Sequence, residues 1–102
     1  MIDLRAILRE LGEKPVVAID EELLRALLAG SEILKEERPP GVDPMRVLRF
    51  GDEILFQETS DRKEILVRRF ASRDEAYRFV RARLDAYDRV WDGCGCKIDY
   101  WG

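Results

Sequence analysis

The first apolar positions of the chain fall at helical spacing. In "IDLRAILRELG", Leu4, Ile7, Leu8 and Leu11 recur at i, i+3, i+4 and i+7, with Asp3 as a candidate N-cap and Gly12 just past the end. After Pro15, the run "VVAI" is apolar and largely β-branched, which predicts a short strand. Asp20 then opens a second helix, "EELLRALLAG". Its acidic first turn suits the helix dipole, and Leu23, Leu24, Leu27 and Leu28 form a broad band expected to bury fully against a sheet before Gly30 stops it. The following "SEILKEERPPGVDP" reads as a helical extension decaying into a loop at Pro39, Pro40, Gly41 and Pro44, because proline cannot propagate a helix. The double proline reads as a rigid spacer rather than a polyproline recognition motif, since no PxxP pattern recurs.

The pattern then switches to period two. In "MRVLRFGDEILFQETSDRKEILVRRF", Gly51-Asp52 is a two-residue turn that pairs Phe50 with Glu53, Leu48 with Leu55 and Val47 with Phe56. A second turn over Ser60 to Lys63 pairs Thr59 with Glu64 and Phe56 with Val67, giving a three-strand meander. One face then carries Met45, Val47, Ile54, Phe56, Ile65 and Val67. The other carries Leu48, Phe50, Leu55, Leu66 and Phe70 beside Arg46, Gln57 and Arg68. Both faces are apolar enough to require cover. "SRDEAYRFVRARLDAYDRVW" supplies one cover: Ser72 and Glu75 stand at capping-box spacing, and Ala76, Val80, Leu84, Tyr87 and Trp91 form one stripe, predicting a helix over residues 72–91. After a turn at Gly93 to Gly95, Cys96, Ile98 and Tyr100 alternate with Lys97, Asp99 and Trp101 as a closing strand. Three occurrences of "EIL", at 32, 53 and 64, have unequal spacing and define no repeat; only the last two fall on expected strands.

These elements predict a single α+β domain over residues 1–102: a mainly helical part (1–38), a Pro-rich loop (39–44), then a three- to four-stranded, mainly antiparallel β-meander, a long C-terminal helix and a short closing strand (45–102). The length suits one core, and the 46% hydrophobic content excludes the signature of disorder. No apolar run approaches the ~20 residues that span a bilayer, and the start lacks a signal-peptide core, so a cytoplasmic protein without membrane attachment is expected.

Composition narrows the chemistry. The chain has fourteen Arg against four Lys, no Asn and one Gln, a bias suited to ion-pair networks at high temperature and to a thermophilic source. It contains no His, which removes the usual general base and the commonest metal ligand, and with them triad hydrolysis and His-containing zinc sites. Adjacent carboxylates such as Asp52 and Glu53 are expected by composition alone and identify no acid–base pair. Residues 1–44 carry a net −4, residues 45–89 a net +2 and the whole chain −3, so a nucleic-acid binder is the minority reading. Arg78, Arg81 and Arg89 are the candidate phosphate-contacting residues. Their neighbours Asp74, Asp85 and Asp88 favour a solvated, ion-paired helix face instead.

Cys94-Gly95-Cys96 is the remaining chemical candidate. One chain offers two thiolates where a structural zinc site wants four ligands, so zinc would require pooling across a dimer. A disulfide between the two would close a tight, strained ring, and a metal-delivery or sulfur-carrier role rests on the same two atoms. The plainer reading packs Cys96 inward as a small hydrophobe and leaves Cys94 on a turn. The expected function is a non-enzymatic protein-interaction or assembly domain without a cofactor. Its partner is a homodimeric copy or another protein, met through Leu48, Phe50, Trp91, Tyr100 and Trp101. A thiol or metal-binding protein using Cys94 and Cys96, and a nucleic-acid-binding regulator, are the alternatives.

Overall fold

The computed structural model describes residues 4–60 and 62–94, with side chains to Ala86. The elements run α1 (Arg5–Leu11), β1 (Val17–Ile19), α2 (Glu21–Ala29), β2 (Glu32–Glu37), β3 (Met45–Phe50), β4 (Glu53–Thr59), β5 (Ile65–Phe70) and α3 (Arg73–Cys94). The α+β class is as the hydrophobic pattern predicts. The sheet is larger than expected, with five strands in the order β1-β5-β4-β3-β2, every neighbour antiparallel. β1 and β2 occupy opposite edges, and α2 carries the chain from one to the other.

Each sheet face has its own core. On one, α1 and α2 place Ile7, Leu11 and Leu27 against Val17, Leu48, Leu55 and Val67. On the other, α3 places Ala76 and Val80 against Met45, Val47 and Phe56. The two faces of one strand therefore both need apolar residues, and this is why Val47 with Leu48, and Leu55 with Phe56, are adjacent and all fully buried.

Local signals explain several element ends. Asp20 accepts a hydrogen bond from the Leu23 N–H at 2.7 Å and caps α2. Glu75 N–H donates to Ser72 Oγ at 3.2 Å, while the Glu75 carboxylate accepts from the Ala71 N–H at 3.2 Å, a capping box closed one residue upstream of the usual partner. The Gly51-Asp52 turn has Gly51 at φ 61°, and it sets all three expected pairs: Phe50 with Glu53, Leu48 with Leu55, and Val47 with Phe56.

Four expectations are corrected. First, Glu32–Glu37 is an edge strand rather than a helical extension; it pairs with β3 through a register shift between Ile33 and Lys35. All three EIL segments thus lie on or against strands of one sheet. Second, the β4–β5 register is one residue away from the expected one, with Thr59 opposite Ile65 and Phe56 opposite Arg68. Ser60 N–H donates to Glu64 O at 2.8 Å and Lys63 N–H to Ser60 O at 2.9 Å, with Lys63 at φ 65°. Glu64 therefore belongs to the turn. A one-residue slip exchanges faces: Val67 packs with Leu48 and Leu55, while Phe70 and Arg68 join the α3 side. Third, α2 buries only Leu27 fully; Leu23, Leu24 and Leu28 are half-buried. Fourth, α3 continues through Gly93 to Cys94 instead of stopping before it. The expected closing strand, with Cys96, Tyr100 and Trp101, lies outside the described residues.

Candidate partner-binding edge and groove

α3 is held by Ala76 and Val80, which point straight down onto the sheet at 0% and 1% exposure. Helical geometry then directs Tyr77, Arg81 and Leu84 to one flank and Phe79, Arg83 and Ala86 to the other. The first flank faces β2. Lys35, Glu37, Tyr77, Arg78, Val80, Arg81 and Leu84 line a groove of about 470 Å³ between helix and edge strand. Tyr77 Oη donates to the Leu34 carbonyl at 3.5 Å, and Lys35 Nζ lies 5.8 Å from the Tyr77 ring centroid while meeting Glu37 at 3.1 Å. Arg78 and Arg81 are exposed and form no ion pair among the described residues. Among the described residues the lining thus holds three cations against one carboxylate.

The opposite face of β2 carries Ile33 and Glu36. Ile33 is 49% exposed, the one large hydrophobic residue left open among the described residues. Glu36 accepts from Arg46 Nε at 2.6 Å and from Arg38 Nε at 3.0 Å, and Arg46 Nη1 continues to Gln57 Oε1 at 2.7 Å. These donors, Arg46 foremost, hold the Glu36 carboxyl below its usual pKa range. The ladder ties the edge strand to the sheet interior, where Gln57 is completely buried.

The residues singled out by sequence separate. Arg78 and Arg81 come together on the groove; Arg89 lies on α3, beyond the described side chains. Leu48 is fully buried beneath α1 and α2 and offers no surface to a partner, while Phe50 packs half-buried against the same core. Trp91 and Cys94 lie in the last turns of α3, without described side chains, while Tyr100, Trp101 and Cys96 fall outside the described residues. Among the described residues no group of three or more Cys, Asp or Glu could hold a metal. Asp52 and Glu53 sit at a hairpin tip, where Glu53 meets Arg69 at 3.7 Å, rather than in a cleft.

Sequence reasoning missed Ile33, Lys35, Glu37 and Tyr77 as a group, because the charges of β2 hid its strand period. The signal that could have found them is the first EIL, two residues past the Gly30 stop and matching the two that open strands further on. No helix is long and apolar enough to cross a membrane among the described residues. No family model, curated protein or solved structure matches the chain.

Proposed function

We propose that this protein is a non-enzymatic interaction module that receives an extended, acidic segment of a partner protein along the β2 edge. The observation that carries the reading is a six-residue edge strand whose outer side is unpaired among the described residues, with a basic groove beside it. An outer strand leaves a row of backbone donors and acceptors open to a further strand. Side chains of an added strand alternate between the faces. On the α3 side they would meet Lys35, Arg78 and Arg81 and should be acidic; on the other they would meet Ile33 and should be apolar.

Self-pairing of β2 is less favourable in its charged half. Two-fold antiparallel registers centred on Lys35 or Glu36 set that residue against its own copy, and like charges directly opposite are destabilising. The apolar sheet face that suggested a homodimer is covered within the chain by α1 and α2. The charges on β2 act as a filter, opposing like edges and admitting a complementary one.

Fluorescence anisotropy with a labelled peptide of about eight residues, alternating Glu and Val, tests this. The reading expects saturable binding that weakens with salt, at least tenfold loss in the double variant Arg78→Glu/Arg81→Glu, and a similar loss in Ile33→Lys. Equal binding of a Lys/Val peptide would contradict it. A dimer in sedimentation that Ile33→Lys returns to monomer would assign the edge to a second copy instead.

A further inference from the structure

The second flank of α3 carries a separate arrangement, independent of the β2 reading. β1 reaches only as far as Val17 opposite Val67, so Arg68 lies on β5 beyond the end of its neighbour on that side. Above it, Phe79 is fixed by an edge-on contact with Phe56 at 5.1 Å and a tilted one with Phe70 at 5.3 Å. Two guanidinium groups gather on this one ring: Arg68 at 5.2 Å and Arg83 at 5.0 Å from its centroid. Arg83 is oriented by Glu58, which accepts from Nη2 at 3.1 Å. The Arg68 side chain makes no hydrogen bond or ion pair among the described residues, and the Nε of both arginines is buried without a partner.

A guanidinium offers five N–H donors in a rigid fork; in Arg68 only Nε is buried and unmet, and the terminal nitrogens have no protein partner among the described residues and are open to a ligand. Here the neighbouring helix positions are Ala82 and Ala86, and the short side chains leave a cavity of about 270 Å³ bounded by Arg68, Phe79, Ala82, Arg83 and Ala86. Among the described residues, two cations and the Glu58 carboxylate leave a single net positive charge. We infer that this cavity binds a small monocarboxylate, its oxygens bridged by the Arg68 fork and its aliphatic part lying on Ala82, Ala86 and Phe79. One net charge and a planar fork suit a carboxylate better than a phosphate dianion, which Glu58 would repel.

Thermal melting of the whole chain with sodium butyrate tests the inference, with butyramide and sodium chloride at equal ionic strength as controls. Butyrate should raise Tm by several degrees in a saturable way, and butyramide and chloride should not. Arg68→Gln should abolish the rise without lowering the unliganded Tm. Arg68→Lys, which keeps the charge and loses the fork, should weaken binding at least tenfold, and Arg78→Gln should leave it intact. An equal rise with butyramide, a larger one with phosphate, or a butyrate rise that survives Arg68→Gln would overturn the assignment.

Discussion

Glu36 and Lys63 show how much single positions decide. The Glu36 carboxylate, bonded by Arg46 and Arg38, titrates below its ordinary range. The unfolded chain therefore takes up this proton more readily than the folded one. The contribution is complete above the ordinary carboxylate range and is lost as pH falls through the depressed folded value. Glu36→Gln should accordingly flatten the fall of Tm between about pH 5 and pH 3, and an acid limb as steep as that of the parent chain would count against the ladder. Lys63 occupies the left-handed region at φ 65°, its Nζ held by Asp43 at 2.9 Å. Asn tolerates that conformation and a β-branched residue does not. Lys63→Asn should match the parent in urea melts, and Lys63→Val should fall below it by about 1 kcal/mol.

Among the elements, α2 and α3 depend on different things. α2 rests on its Asp20 cap and on Leu27, its one fully buried side chain. Leu27→Ala should cost about 3 kcal/mol, readable as a shift of the denaturation midpoint. Leu24→Ala, at a half-buried position, should cost clearly less. Legibility followed the strength of the local signal. Gly51 marks its turn openly, and the β3–β4 register could be read from it. Lys63 fills a left-handed position where glycine or asparagine is expected, so the β4–β5 register, and with it the side taken by Val67 and Phe70, could not. β2 was hidden because Lys35, Glu36 and Glu37 serve an exposed edge and erase the apolar alternation of a buried strand. The lengths of α1 and α2 were legible from their periodicity; the depth to which α2 buries was not, since it depends on sheet area that only the strand order reveals.

Across the molecule, the two-sided core explains why so little apolar surface is left open among the described residues. Both sheet faces are covered from within, by α1 and α2 on one side and α3 on the other. Among the described residues, what stays open is the short β1 edge, the longer β2 edge and the two flanks of α3. The basic residues Arg78 and Arg81 were legible as a candidate pair; that they meet Lys35 and Tyr77 across a groove follows from β2 being a strand and from its place beside β3. The proposed function requires this edge and groove to act as one surface for an acidic extended segment. Amide chemical shifts of the isotope-labelled chain, followed while the Glu/Val peptide is added, test it most directly. Saturable changes concentrated at residues 32–37 and 77–84 are expected, and none with the Lys/Val peptide. Changes centred on α1 and α2, or none at peptide concentrations in the millimolar range, would contradict it.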